Sequence, residues 1–473
     1  MLNSRKTDRL SGRRALILAV LGCLLARAGV TAGTNSFAVL SFMSELDRVE
    51  SSSLWPGFDP DAVPAAVFDG AKTYLFDHPR PPDAFRPLEG AGRVSVYEGQ
   101  YGGVNDNDSL RIGETWVATC LARPSRGTGS DKAFSVGELA EIILEEKFQI
   151  FLARRHPDWQ PDPTLLLTYP RDTDRSLTLR RCEMEAFRRA VEAEADEVAA
   201  SWAVEGLKVR SQRLSLLDEN MARYERNLER FEGLADFLRC AGRRRPIALL
   251  PESGPDHLSE VGVPECGSRV GCMIAYLLER FSPDWKGRME AGAFEYLETE
   301  LESALRSFPP KRTFSIADLV EIRQKAEDDI LRQDAERTEL FQRFLARPGY
   351  RVEIIAGDEP LKPVSFDEAG LVRMSDSESF HRGPLTLKSS TANLEIRTEA
   401  LTVHRGSPAV SRLLLTGFAA KPSVLRGRSG TKEIVVVKSQ GLTLVCRNVK
   451  VLEKGTALTI ILLKESGESI GRR

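Results

Sequence analysis

Two glutamates stand at positions where a helical pattern calls for apolar residues. In "SVGELAEIILEEKFQIFLARRHPDW", Glu146 shares a helix face with Leu139 and Ile150. In "YERNLERFEGLADFL", Glu232 falls on the apolar stripe that contains Leu228. A buried carboxylate without a partner is costly, so each must be protonated, hydrogen-bonded, paired with a cation or bound to a metal. Both glutamates are therefore candidates for a general base or a metal ligand.

The neighbours of the two glutamates extend the candidate site. Glu145 and Gln149 lie one helical turn apart and form an edge beside Glu146. Gly233 follows Glu232 inside a helix, where glycine costs about 1 kcal/mol relative to alanine, so we expect another element to approach closely there. The alternative is that each glutamate pairs separately with an arginine. The segment "LRRCEMEAFRRA" offers such partners: Arg180, Arg181, Arg188 and Arg189.

These segments, followed by "CMIAYLLERFSPDWK", form an ordered set that resembles secreted bacterial proteins related to gluzincin-type zinc metallopeptidases. The resemblance covers roughly residues 131–290, with weaker similarity before it and around "PLKPVSFD". The active helix of those enzymes reads His-Glu-x-x-His; its histidines and a downstream glutamate bind zinc, and its own glutamate activates a water. The resemblance implies that Glu146 matches the general base and Glu232 the third ligand. Glu145 and Gln149 match the two histidine positions.

The absence of both histidines decides what this site is expected to do. Zinc sites draw their affinity from imidazole and thiolate donors, whereas Gln149 offers a neutral amide oxygen. We therefore expect a degenerate zinc site without a cofactor and a vestigial base at Glu146. Alternatively, Glu145, Gln149 and Glu232 could form an oxygen-rich site for calcium, magnesium or manganese. His156 lies nearly two turns beyond Gln149, which places it poorly for replacing a lost ligand.

Other catalytic signatures are absent from the sequence. No two of the five histidines are spaced to share a helix face, and no nucleophile elbow, phosphate loop or dinucleotide fingerprint occurs. Six cysteines remain once Cys23 is set aside with the amino-terminal segment, so disulfides are permitted, but the sequence cannot choose their pairing. Cys272 lies in the helical run "GCMIAYLLERF", which favours a small buried residue.

Charge and the amino terminus indicate location. The 66 basic and 68 acidic residues nearly cancel, which gives no electrostatic case for nucleic acid or an anionic membrane as the main partner. Basic residues precede the apolar run "ALILAVLGCLLA" and the small-residue segment "AGVTAG", as in a secretory signal peptide cleaved after Ala32. We expect a secreted or periplasmic bacterial protein with no membrane span in the mature chain.

The remaining pattern predicts an α+β protein. Residues 1–32 form the signal peptide, and residues 33–347 form a degenerate metallopeptidase-like domain. That domain contains β-type runs over 33–130 and helical patterns over 131–347. Residues 348–473 carry alternating β-rich segments typical of a β-sandwich or barrel-like module.

Two helix starts carry the same capping motif. Ser135 is followed three residues later by Glu138, and Ser315 by Asp318. In each pair the serine side chain and the acidic side chain can satisfy each other's free backbone N–H groups. We therefore expect helices to begin directly after both serines.

Three functions are compatible with these residues. The favoured one is a catalytically inactive metallopeptidase-like protein that uses the old cleft to bind or scaffold an unidentified protein or peptide, with the β-module as a second contact surface. The second is a hydrolase with an altered, oxygen-rich metal site and Glu146 as general base. The third is a structural envelope protein whose glutamates are satisfied by arginines.

Overall fold

The computed structural model describes residues 39–47, 54–122, 134–241, 262–309, 311–429 and 432–463. The expected signal peptide lies outside these ranges. The chain divides into two compact units, and each contains both helices and β-strands. Unit 1 comprises Met1–Pro161 and Thr178–Ile322, and unit 2 comprises Asp162–Leu177 and Arg323–Arg473. The helical middle and the all-strand carboxyl-terminal region confirm the predicted α+β class. The finer domain bounds expected from the sequence stay a prediction.

Unit 1 begins with helix α1 and a six-stranded sheet. Helix α1 spans Val39–Asp47. The strands are β1 (Ala65–Phe68), β2 (Lys72–Phe76), β3 (Arg86–Pro87), β4 (Val94–Glu98), β5 (Asp108–Ile112) and β6 (Thr115–Leu121). Their order is β3-β4-β2-β1-β6-β5, and β1 pairs with β6 in parallel while the other neighbours are antiparallel. A short 3-10 helix at Pro60–Ala62 precedes the sheet.

Helix α2 carries the candidate residues and spans Val136–Arg155. The predicted capping motif is present at its start: the Ser135 N–H donates to Glu138 at 2.6 Å, and the Glu138 N–H donates to Ser135 Oγ at 3.2 Å. Leu139 and Ile143 of this helix share a buried core with Val67 and Ala118 of the sheet. The helix is therefore held against the sheet along its first half.

Further helices complete unit 1 and lead into unit 2. They are α3 (Asp174–Glu192), α4 (Asp196–Leu214), α5 (Glu219–Leu228), α6 (Leu234–Ala241), α7 (Val263–Phe281), α8 (Trp285–Glu290), α9 (Leu297–Ala304) and α10 (Ile316–Leu345). A π-helical turn, Glu229–Gly233, joins α5 to α6 without a break. Short 3-10 helices lie at Pro157–Trp159 and Pro163–Leu167. Ser315 and Asp318 exchange hydrogen bonds at the start of α10, as predicted.

A large apolar core joins these helices to α2. It contains Phe148 of α2, Phe231 of the π-helical turn, Leu238 of α6, Ile274 of α7 and Trp285 of α8. Burial of these side chains is the main force that holds the helices together. Within the part of the chain that the structure describes, no helix is both long and apolar enough to cross a membrane.

The carboxyl-terminal strands of unit 2 form two sheets. The strands are β7 (Tyr350–Ile355), β8 (Lys362–Phe366), β9 (Leu371–Ser375), β10 (Glu378–His381), β11 (Leu385–Lys388), β12 (Ala392–Ile396), β13 (Ala400–His404), β14 (Val410–Phe418), β15 (Ser423–Ser429), β16 (Lys432–Ser439), β17 (Leu442–Cys446), β18 (Val449–Lys454) and β19 (Ala457–Leu462). One sheet has the order β18-β19-β7-β14-β13-β10-β9, and the other β15-β16-β17-β12-β11-β8.

Both sheets contribute to one apolar core. Ile354 and Leu413 come from the first sheet, and Leu394 and Val437 come from the second. Strand burial alternates, as in β12 and β17, because one face of each sheet points into that shared core. The arrangement is a β-sandwich.

Candidate functional site

The four residues predicted from the sequence lie on helix α2 and the π-helical turn. Glu146 and Glu232 are 2% and 5% exposed, which confirms that both carboxyl groups face the protein interior. Glu145, which was expected at the edge beside Glu146, is itself only 1% exposed. Gln149 is half-buried. The Gln149 side-chain amide donates a hydrogen bond from Nε2 to Glu232 Oε2 at 2.9 Å. The structure therefore brings together two of the predicted positions, one from each helical segment.

Glu145 has a cationic partner that the sequence interpretation missed. Arg239 Nε lies 3.2 Å from Glu145 Oε2, and Arg239 also donates to Asp236 Oδ1 at 3.0 Å. Burial favours the neutral guanidine, but the negative groups around it, led by Asp236, outweigh burial and hold the pKa of Arg239 above its ordinary value. A fixed positive charge thus contacts one of the two positions that match zinc-binding histidines.

Glu146 faces the sheet side of the helix. Helix α2 packs on strand β6, and Glu146 lies close enough to Cys120 of that strand to influence its thiol. Burial is the main reason that the pKa of Cys120 is raised well above its ordinary value, and the negative charge of Glu146 adds to it. A carboxylate that is 2% exposed has little direct contact with solvent.

Lys147 is a second buried charge that the helical pattern did not predict. It is 2% exposed, and its Nζ donates to the Pro60 carbonyl at 2.8 Å. Burial lowers the pKa of Lys147 to about 8, although the carboxylates of Asp77 and Asp61 oppose that shift. The sequence could not reveal this because residues 143–148 are all buried, so this stretch of α2 has no solvated face.

The π-helical turn is shaped by a close contact with α7. A Cβ added to Gly233 would lie 2.7 Å from Gly271 Cα, and a Cβ added to Gly271 would lie 2.5 Å from the Glu229 carbonyl oxygen. The two glycines therefore let the backbones of the turn and of α7 touch. This confirms the expectation that another element approaches Gly233. π-Helical turns of this kind occur frequently at functional sites.

A buried ion-pair network lies on the other side of the same turn. Arg210 of α4 contacts Glu229 at 2.7 Å and Glu183 of α3 at 2.9 Å. Arg213 contacts Glu225 of α5 at 2.6 Å and also pairs with Glu183. Charges of opposite sign compensate one another here, which is the condition under which buried ions are tolerated.

Burial strongly perturbs one carboxyl of the network, Glu229. Burial raises the pKa of Glu229 to about 8; Arg210 opposes the shift, and the negative charges of Glu298 and Glu183 add to it. Within four residues, the π-helical turn therefore directs Glu229 into the ion-pair network and Glu232 toward Gln149.

Three of the arginines that the sequence offered as partners contact other acidic residues. Arg188 pairs with Glu185, and Arg189 pairs with Glu185 and Asp318. Arg180 lies 3.9 Å from Glu225. Arg239, rather than this group, supplies the ion pair described for Glu145.

The histidine nearest the site in sequence has a separate contact. His156 ends helix α2, and its Nε2 lies 2.8 Å from Glu290 Oε1 of α8. Its ring stacks on Trp159 with a centroid distance of 3.9 Å. The ring is thus engaged at the end of α2 by contacts that do not include Gln149 or Glu232.

The residues present do not fit a zinc ion. Neither imidazole nor thiolate stands at the matched positions, Glu145 already pairs with a guanidinium, and the Gln149 amide points an N–H donor at Glu232. Among the residues that the structure describes, no group of three or more His, Cys, Asp or Glu side chains is arranged to hold a metal ion. No family model matches the chain, and no curated protein or solved structure is significantly similar to it.

Proposed function

We propose that this chain is an exported, catalytically inactive relative of zinc metallopeptidases that serves as a binding or scaffolding module. One observation carries the proposal: the side chains at the positions that match metal ligands contact other protein side chains. Glu145 pairs with the Arg239 guanidinium, and Gln149 donates to Glu232.

The charges at the site support an inactive role. A guanidinium fixed 3.2 Å from Glu145 supplies positive charge where a metal-dependent enzyme would need an exchangeable cation. A general base must also reach the proton that it removes, directly or through one water. Glu146 is 2% exposed and faces strand β6, so its surroundings favour a structural role for this carboxylate.

Gln149 is the accessible member of the group and marks where a partner would bind. It is half-buried, and it connects the outer edge of the site to the interior carboxylates. The near balance of acidic and basic residues fits an uncharged or mixed-charge protein or peptide partner. The β-sandwich of unit 2 would add a second contact surface.

Metal analysis and hydrolysis assays on the purified chain test the inactive role. We expect substoichiometric zinc after purification without chelators, and no chelator-sensitive hydrolysis of a peptide library. The Glu146→Gln variant should then behave as the wild type does. Stoichiometric metal together with hydrolysis that Glu146→Gln abolishes would overturn the proposal in favour of the oxygen-rich hydrolase.

Peptide panning tests the binding role. We expect a displayed random-peptide library to yield ligands whose affinity falls about tenfold with Gln149→Ala, as for loss of one interface side chain. The matched control is Gln324→Ala, which removes the same side chain from an exposed position on α10. A library that yields no ligand, or ligands that ignore Gln149→Ala, would contradict a binding role for this site.

A further inference from the structure

Two cysteines of unit 1 meet where helices α6 and α7 pack together. All six cysteines in the described residues are free thiols. Cys240 lies in the last turn of α6 and is partly exposed, whereas Cys272 of α7 is 0% exposed. Gly267 of α7 lies against Leu228, and further along Ser268 donates a hydrogen bond to Asp236 of α6, so the two helices run in the same direction. Cys272 and Cys240 each follow this bonded pair by four residues, which is about one helical turn, so the two cysteines lie on the facing sides of α7 and α6.

The two thiols differ in acidity in the way that a redox pair requires. The hydrogen bond from Cys272 lowers the pKa of Cys240; burial opposes this shift and the positive charge of Arg239 supports it. The same hydrogen bond and burial raise the pKa of Cys272 well above its ordinary value. The thiolate is the reactive form of cysteine, so the accessible Cys240 is the nucleophile and the buried Cys272 the resolving thiol.

Three other cysteines of the described residues, Cys120, Cys182 and Cys446, have different surroundings. The Cys120 thiol donates to the Leu121 carbonyl at 3.4 Å, and the Cys446 thiol donates to the Val435 carbonyl at 3.5 Å. Burial raises the pKa of Cys182 to about 11. These three thiols therefore provide internal controls.

We propose that Cys240 and Cys272 form a redox-active dithiol that a disulfide oxidant converts into an intramolecular disulfide between α6 and α7. The Cys240 thiolate attacks one sulfur of an oxidant RSSR, forms a mixed disulfide and releases RS⁻. Cys272 then loses its proton to the released thiolate, attacks the Cys240 sulfur and expels the second RS⁻. The second RS⁻ takes up the proton that Cys240 lost when it ionised. In total, two protein thiols and one RSSR give one protein disulfide and two RSH.

The position of the pair gives the disulfide a structural consequence. Helix α6 continues directly from the π-helical turn. Helix α7 packs on the same turn where Gly271 meets Gly233. Cys240 directly follows Arg239, the partner of Glu145. Oxidation would covalently fix the helix that carries this arginine to α7, beside the candidate site.

Oxidation of the full-length chain with glutathione disulfide tests the proposal. After alkylation and digestion without reductant, we expect a peptide in which Cys240 and Cys272 are linked, while Cys446 remains alkylated. The oxidised chain should also unfold at higher temperature, because a cross-link restricts the unfolded state. Persistence of both thiols, or a stable glutathione adduct on Cys240 of the wild type, would overturn the proposal.

Variants separate the roles of the two thiols. We expect Cys272→Ala to trap a glutathione adduct on Cys240, and Cys182→Ala to leave the disulfide unchanged. As a test that needs no variant, iodoacetamide should modify Cys240 of the native chain at least about tenfold faster than Cys446. Equal rates for these two thiols would contradict the assigned nucleophile.

Discussion

At the scale of single residues, the ion pair between Glu145 and Arg239 best explains the candidate site. Glu145 lies beside the apolar stripe of α2 and is 1% exposed, and an arginine from a distant segment compensates its charge. Removing one member of such a pair leaves an uncompensated charge in a poorly solvated place. The pair therefore contributes to stability mainly by avoiding that cost.

Arg239→Ala should lower the free energy of unfolding of unit 1 by about 2 kcal/mol, because Glu145 loses its cation. Denaturant unfolding followed by tryptophan fluorescence measures this, because all five tryptophans lie in unit 1. The control is Lys72→Ala, which breaks an exposed ion pair with Glu98 and should leave stability unchanged within error. If the two variants have the same free energy of unfolding, the contact between Arg239 and Glu145 does not stabilise unit 1.

The sequence predicted the inward glutamates but not their partners. Glu146 and Glu232 were found because helical periodicity reports which face is buried. Arg239 was not found, since an arginine in the last turn of a helix normally interacts with solvent and the helix carboxyl end. Lys147 was missed for a related reason: burial of consecutive residues removes the periodicity on which the prediction depends.

At the scale of elements, the crossing of the π-helical turn and α7 positions Glu232. Gly233 and Gly271 let two backbones touch, and the turn then carries Glu232 toward Gln149 on α2. The same turn carries Glu229 into the buried network with Arg210. A side chain at either glycine would push the helices apart and move both carboxylates.

Gly271→Ala should therefore destabilise unit 1 by about 3 kcal/mol, because its Cβ would meet the backbone of Glu229 at 2.5 Å. Gly287→Ala is the matched control, since a Cβ there meets nothing within 4 Å on helix α8. That variant should raise the free energy of unfolding by at most about 1 kcal/mol. Fluorescence-monitored unfolding distinguishes them, and a neutral Gly271→Ala would contradict the close crossing.

Helix boundaries were predictable where local chemistry determines them. Ser135 with Glu138 and Ser315 with Asp318 mark helix starts because both partners lie within one turn of each other. The buried network of Arg210 and its glutamates was not predictable, since it joins α3, α4 and the π-helical turn over long sequence separations. Its residues resemble an ordinary solvated helix face in sequence.

At the scale of the whole molecule, two buried histidines are expected to make unit 2 sensitive to acid. In the β-sandwich, His381 Nε2 and His404 Nε2 each lie 3.0 Å from Thr402 Oγ1, and both rings are almost fully buried. Burial is the first cause that lowers the pKa of His381 to about 3 and that of His404 to about 4. Both histidines are neutral in the folded chain at neutral pH.

Stability of the β-sandwich should fall as the pH drops below about 6.5, the ordinary pKa of histidine. In that range the two histidines of the unfolded chain become protonated, whereas the buried histidines of the folded chain stay neutral until the pH reaches about 4 or below. At pH 5 the loss should be roughly 2 kcal/mol per histidine. Hydrogen exchange of peptides from β10 and β13 in the full chain, corrected for intrinsic rates, measures it.

His404→Gln should reduce this acid sensitivity, while His156→Gln, in unit 1, should leave it unchanged. An opening free energy of β10 and β13 that stays constant from pH 7 to 5 would contradict the assignment of buried neutral rings. The pairing of His404 with His381 through Thr402 could not be predicted from the sequence, because it depends on strand register.

The proposed function supposes that the scaffold of a zinc site persists without its nitrogen donors, and introducing histidines at the matched positions tests this most directly. Zinc titration of a variant with both Glu145→His and Gln149→His should show one tightly bound ion, weakened by a further Glu232→Gln. The control, Gln324→His with Asp328→His, places two histidines one turn apart on an exposed face. We predict at least about tenfold tighter zinc binding by the restored site than by the control. Equal affinities in folded variants, or no effect of Glu232→Gln, would contradict the claim.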